Sequence, residues 1–374
     1  MFATGEIALL RPAGVAPLLE RIRRVRAVSG IPLVGDDRWS SEHWGHVARA
    51  AADARLTPDI AWASMTSGSS GSPKIVLRTA MSWSASFPLI ARLLDAGEAD
   101  VVAVPAPPVS SLTLFSIAHA LEGGPRPALA RGHAIVPADY ADATCFHGTP
   151  HAFRALLERG CPPKLRAALV GGSHLDADLR ERAQARGIRV TSYYGSAELS
   201  IVATDDGSGL RVIDGIETRI VEGELQVRSP FAAERYASAP LRGDGRWVTS
   251  GDLATIDDGL LRLRGRADGA ILTASATVIP EEVEAALREL PGVRDAVVCG
   301  LPDAVLGAVV VAIVEPESGA EPSVGDLRSQ AARSLAPSHR PRRWHLATLP
   351  RTAAGKPARA ETYARLIADG GAAS

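Results

Sequence analysis

Apolar positions along the chain fall into short blocks bounded by glycine and proline, and their spacing switches between strand-like and helix-like. "DIAWASM" (59–65) reads as a short strand. "DVVAVPAPP" (100–108) reads as a buried strand closed by prolines. "SSEHWGHVARAAADARL" (40–56) predicts an alanine-rich helix capped by Ser40 or Ser41, with Glu42 in the favourable first turn. Residues 165–194 give the clearest unit. "LRAALVGG" is a strand ending in two glycines, "LDADLRERAQAR" has helical spacing at Leu175, Leu179 and Ala183, and "GIRVTSYYG" is the next strand. Strand, helix and strand with short connections predict a parallel α/β sheet with a right-handed crossover. Ligands of such sheets bind at the carboxyl ends of the strands, where Gly171, Gly172, Tyr194 and Gly195 fall.

From about 207 the pattern changes. "GLRVIDG", "IETRIVEG", "ELQVRSP" and "RWVTSGDLATIDDGLLRLRGR" are short strands separated by glycine and Asp-Gly turns, which predicts a small β-rich subdomain over about 207–264. "GRADG" (265–269) has the texture of a linker. Beyond it, "VIPEEVEAALREL" (278–290) predicts a helix with Pro280 in its first turn, followed by strands at "DAVVCGLPD" and "AVVVAIVEP". A second helix spans 323–335 behind Ser323 and Asp326, which resemble a capping box. The fold class is therefore α/β: a large N-terminal domain (1–266) with parallel strands, and a small α+β C-terminal domain (267–374).

Composition narrows the function classes by exclusion. With 374 residues, 46% of them hydrophobic, the chain can bury a sizeable core. A net charge of −1 gives no overall attraction to nucleic acid or an anionic membrane, and 5% aromatic content offers no base-stacking platform. The Arg-rich stretch 21–27 reads as a solvated helix face. Cys145, Cys161 and Cys299 are widely spaced and odd in number, which predicts free thiols in a reducing compartment. "MFATGEIALLRPAG" lacks the pattern of a signal peptide, and no apolar run is long enough to span a bilayer, so a cytoplasmic location is expected.

The candidate chemistry begins in "MTSGSSGSPKIVLRT" (65–79). Gly68 and Gly71 let backbone N–H groups face an anion; Thr66, Ser67, Ser69 and Ser70 add hydroxyls, and Lys74 adds charge. The spacing is not that of a Walker A loop, and the stretch alone is equally compatible with a flexible linker. Four later stretches change that balance. "SYYGSAELS" (192–200) sets Tyr193 and Tyr194 at a strand end with Glu198 beyond them; an aromatic face can stack a purine, and a carboxylate can hold Mg²⁺ beside phosphates. "TSGDL" puts Asp252 in a tight turn suited to ribose hydroxyls. "LRGRAD" adds Arg266, and "LPRTAAGKPAR" adds Lys356.

This ordered set, spanning about 60–361, resembles the adenylate-forming superfamily of acyl- and aryl-CoA synthetases, luciferases and peptide-synthetase adenylation domains. The resemblance implies activation of a carboxylic acid as an acyl-adenylate, with ATP and Mg²⁺, then transfer to a thiol. CoA is the expected acceptor; a carrier-protein phosphopantetheine is the alternative. It assigns Thr66–Gly71 and Lys74 to the β- and γ-phosphates. Gly171, Gly172, Ser173, Tyr193, Tyr194, Gly195, Ser196 and Ala197 fall to the nucleotide, with Tyr194 stacking on adenine. Asp252 and Arg266 fall to the ribose, Glu198 to the metal, Asp268 to the hinge of a mobile C-terminal domain, and Lys356 to the adenylation transition state.

The chain also departs from the family. About 65 residues precede the phosphate loop where relatives carry many more, a gap that a homodimer could cover. Ala197 replaces a threonine, worth on the order of 1 kcal/mol of lost hydrogen bonding. Leu272 and Ser275 replace a lysine and a glycine near the thiol path. Ser110 and Ser111 stand where relatives place an aromatic residue or histidine, which predicts a different acyl-pocket wall. His147, Gly148 and His174 fall near the same pocket; the histidines are expected as lining rather than as bases, because the acid is already ionised.

Overall fold

The computed structural model describes residues 4–12, 15–65, 74–132, 134–172, 175–266, 269–272, 277–303, 307–336, 339–352 and 355–368. At its centre lies an eleven-stranded sheet. Five strands, Arg126–Leu129, Val101–Val104, Cys145–Gly148, Ala167–Gly171 and Arg189–Ser196, run parallel in that spatial order. Their side chains alternate between two cores, as the strand period demands. Val102, Val104, Cys145 and Leu169 join a cluster with Trp83, Phe87 and Leu114. Val101, Ala103, Phe146 and Val170 join one with Tyr140, Phe153 and Leu179. Burial on both faces explains why these strands read as unbroken apolar runs.

The glycine-punctuated strands after 207 form, and they continue the same sheet. Ser200–Asp205 folds back antiparallel on Arg189–Ser196, and Arg211–Val212, Leu260–Arg266, Asp252–Asp257, Glu224–Arg228 and Glu217–Val221 extend it outward. The hairpin Ile60–Met65/Ile75–Thr79 pairs with Arg235–Tyr236 in a separate sheet. Ser40 caps the helix Ser41–Ala52 by accepting from the His43 N–H. In the helix Val15–Ala27, Arg23 and Arg24 are solvated beside Glu20, whereas Arg26 packs over Trp62.

The last hundred residues form the predicted α+β unit. Strands Val293–Asp303 and Gly307–Pro316 pair antiparallel, and Arg343–Leu346 adds a parallel edge. Helices Pro280–Arg288, Val324–Ser334 and Arg359–Ala368 cover them. Ser323 caps its helix from the Asp326 N–H at 3.1 Å. The three cysteines are free; burial holds their thiols high, with Cys145 up to about 12 and Cys299 up to about 11, so none is a ready nucleophile. Among the described residues, no helix is long and apolar enough to cross a membrane.

Candidate active site

The carboxyl ends of two neighbouring parallel strands bring several of the predicted residues together. Gly171 ends one strand, and Tyr193, Tyr194, Gly195 and Ser196 end its neighbour. Gly195 is there for a spatial reason: a Cβ on it would sit 2.9 Å from the Ser200 carbonyl carbon, where the chain doubles back through Ala197 and Glu198. Tyr194 is buried, and its hydroxyl donates to Asp252 Oδ2 at 2.6 Å; Ser250 donates to the same oxygen at 2.5 Å. Asp252 is thereby fixed in orientation, and Arg266 sits opposite it in the strand ladder.

Glu198 sits over a buried cation that the sequence did not announce. Arg78 is 1% exposed and donates to the Ala197 carbonyl at 2.7 Å and to the Phe231 carbonyl at 2.7 Å. Burial lowers its pKa to about 9, and Glu198 works against that shift. Arg78 therefore remains charged at neutral pH and fixes the turn that carries Glu198. The second unannounced residue is Tyr236, whose hydroxyl donates to Glu198 Oε1 at 2.9 Å. Lys74 Nζ lies 5.0 Å from the same ring's centroid, so Tyr236 links the end of the predicted phosphate loop to the carboxylate. Among the described residues no group of three or more His, Cys, Asp or Glu clusters as a metal site. A single carboxylate fits Mg²⁺ when substrate phosphates and water supply its other oxygens.

His147, expected near the acyl pocket, is buried between Ser116 Oγ (3.0 Å from Nδ1) and Tyr193 O–H (3.1 Å from Nε2). Burial, aided by His119, drives its pKa down to about 3, so it is neutral and acts as a hydrogen-bonding link. Ser110, expected in the acyl-pocket wall, also has a structural role. It caps the helix Ser111–Leu121 by accepting from the Leu112 N–H, and its backbone bridges Met65. The helix residue that reaches His147 is Ser116, about one and a half turns further on. Thr66, Ser67, Gly68, Ser69, Ser70, Gly71, Ser173, His174, Asp268 and Ser275 lie outside the described residues, as does the Arg266 side chain.

Lys356 arrives from the C-terminal unit. Its Nζ sits 3.4 Å from the position a Cβ on Gly172 would take, and Asp252 raises a pKa that burial lowers below the ordinary lysine value. The hairpin carrying it is tied from both sides. Thr352 N–H donates to the Lys356 carbonyl at 2.7 Å, and Lys356 N–H donates to Thr352 Oγ1 at 3.2 Å. Arg351 pairs with Asp295 at 2.9 Å and with buried Glu315; Arg359 pairs with buried Glu284, which also accepts from the Val298 N–H. Gly355 runs against the ring of His151, at the start of the helix Pro150–Arg159.

Lys74 beside Tyr236, the Tyr194–Asp252 pair, the Glu198 carboxylate on its braced turn and the Lys356 ammonium near Gly172 are what the structure gathers here, and the chain belongs to the AMP-binding enzyme family. That family matches residues 13–236, and the AMP-binding enzyme C-terminal domain matches 282–356. The chain is 31% identical to a probable 2-succinylbenzoate–CoA ligase of Mycobacterium tuberculosis, with 97% of this chain and 99% of that protein covered. Its short N-terminal region is thus shared with a relative that aligns almost end to end. A feruloyl-CoA synthase of Amycolatopsis is 27% identical, covering 82% of this chain and 70% of that one. The fold matches Escherichia coli MenE with bound OSB-AMS (TM-score 0.83, 21% identity, 97% and 88% covered). It also matches the anthranilate CoA ligase AuaEII in complex with anthranoyl-AMP (TM-score 0.84, 19% identity, 99% and 89% covered).

Proposed function

We propose that this chain activates a carboxylic acid as its acyl-adenylate with ATP and passes the acyl group to the thiol of CoA. The observation that carries this is the insertion of Lys356, on a hairpin of the C-terminal unit, between Gly172 and Asp252 at the sheet's carboxyl end. The substrate carboxylate attacks the α-phosphate, the bond to the β-phosphate breaks, and pyrophosphate leaves. Negative charge shifts onto phosphate oxygens in that step, which a preorganised ammonium stabilises without a covalent enzyme intermediate. Mg²⁺ bound by Glu198 and the phosphates would add charge neutralisation. Residues 66–71 and Lys74 hold the β- and γ-phosphates. Gly171, Gly172, Ser173, Tyr193 to Ala197, Asp252 and Arg266 hold the nucleoside, with Asp252 oriented by Tyr194. Rotation of the unit from 267 onward about Asp268 withdraws Lys356, and the CoA sulfur then attacks the acyl carbon, releasing AMP.

The acid in this reading carries an aryl group with a polar substituent. The two relatives described above are named for aromatic acids, 2-succinylbenzoate and ferulate, and the Ser116–His147–Tyr193 link supplies neutral hydrogen-bonding groups next to Phe115, whose ring lies edge-on to His147 at 6.0 Å. A homodimer covering the short N-terminal wall completes the reading, and light scattering tests it. The acceptor is tested by incubating enzyme, ATP and an aryl-acid panel with CoA, with a phosphopantetheinylated carrier protein, or with hydroxylamine. The expected product is the CoA thioester. Hydroxamate without CoA thioester would remove the second step, and loading of the carrier alone would replace CoA as acceptor.

A further inference from the structure

The amino end of the Arg189–Ser196 strand, the end remote from the adenylation site, opens into a cleft of about 310 Å³. The strand registers put its lining on one face of the sheet. Arg189 and Thr191 alternate to the same side as Tyr193; Thr204 pairs with Tyr193, and Arg211 pairs with Thr204. The helix Phe87–Leu94 closes the side with Arg92 and Leu93. Three exposed guanidinium groups from three different elements therefore border one concavity. None of the three has a hydrogen-bond or ion-pair partner among the described residues.

The lining carboxylate is Asp206, and its Oδ1 is occupied by the Ser208 N–H (3.1 Å) and Oγ–H (2.8 Å). The opposite face of the same strands shows the contrast. There Arg180 donates to the Val190 carbonyl and to Ser192, and pairs with Asp205 at 3.2 Å. A lone surface arginine is simply solvated. Three that converge on a hollow holding Thr191, Thr204 and Ser208 leave a positive surplus with donors around it. Guanidinium forks match phosphate oxygens two at a time, and three of them match the charge of a diphosphate better than that of a monoester.

We propose that this cleft is a second, non-catalytic anion site that takes a small diphosphate group, either inorganic pyrophosphate or the diphosphate of a small metabolite. It goes beyond the adenylation reading and does not depend on it. Hydrogen–deuterium exchange of the full chain, titrated with inorganic pyrophosphate and separately with ADP, locates binding by peptide. Both probes are expected to slow exchange over 206–211 if the site accepts either source; pyrophosphate alone would restrict it to the inorganic ion. Arg189→Ala/Arg211→Ala should weaken the effect about tenfold per arginine removed, and acid-dependent ATP–pyrophosphate exchange should be unchanged. Arg92→Ala, on a separate element, should weaken it on its own. Equal protection in the variants, no protection of 206–211 in the parent chain, or the same protection from sodium chloride at matched ionic strength would overturn the proposal.

Discussion

Gly355 carries the Lys356 hairpin past His151 with a left-handed backbone (φ +79°), and a Cβ there would lie 2.7 Å from His151 Cγ and 3.1 Å from its Cβ. Gly355→Ala therefore imposes two separable costs. The left-handed conformation costs alanine about 1 kcal/mol wherever the C-terminal unit sits, because the turn is local to the hairpin. The overlap with His151 costs about 1–3 kcal/mol, and only in the arrangement that places Lys356 against Gly172. Converted to rate, the second cost slows adenylation roughly 5- to 150-fold. Transfer from a supplied acyl-adenylate to CoA, which on the proposed rotation proceeds with the hairpin withdrawn, should change little. The assay is acid-dependent ATP–pyrophosphate exchange beside single-turnover thioester formation. In a double-mutant cycle, His151→Ala should restore most of the adenylation rate lost by Gly355→Ala. Equal slowing of both half-reactions, or no rescue by His151→Ala, would refute the contact as a determinant of the adenylation arrangement.

Four further outcomes are expected. Tyr236→Phe removes the hydroxyl bonded to Glu198, a loss of about 1 kcal/mol, and should raise the Mg²⁺ concentration needed for half-maximal exchange about fivefold; an unchanged Mg²⁺ dependence counts against Glu198 as the metal carboxylate. Because burial lowers the Lys356 pKa, its ammonium loses charge at a lower pH than ordinary lysine, so the alkaline limb of adenylation should fall below 10.5 and move upward in Lys356→Arg. The same shift makes the unfolded chain bind that proton more tightly, so this residue's contribution to stability improves as pH rises through the window between the lowered value and 10.5. Arg78→Met orphans the Ala197 and Phe231 carbonyls at about 1–3 kcal/mol each, and urea denaturation should show an unfolding free energy lower by about 2–6 kcal/mol, read as a lower midpoint at unchanged slope.

The strands and the chemistry-bearing motifs were legible because each is local. Apolar runs closed by glycine mark the parallel strands, and Asp252, Glu198 and Lys356 each sit in a short motif whose order along the chain is itself a signal. What escaped was held by distant partners. Arg78 reads as one polar residue at the end of "IVLRT", yet its acceptors lie 119 and 153 positions away. Tyr236 occupies a two-residue strand with no periodicity to notice, and Ser116 is a small residue inside an apolar helix. Ser110, expected in a pocket wall, also caps the helix Ser111–Leu121, and that role is equally local. The segment after 207 reads as a β-rich subdomain, and its hydrogen-bonded continuity with the parallel sheet depends on strand pairings that no single stretch encodes.

The central claim, adenylation promoted by Lys356, is tested most directly by ATP–pyrophosphate exchange across a panel of aryl and alkyl carboxylic acids, run with the parent chain and with Lys356→Ala. The account predicts exchange that requires an acid, falling by orders of magnitude in Lys356→Ala while ATP binding persists. Exchange with no acid above background, or comparable exchange in the Lys356→Ala chain, would contradict it.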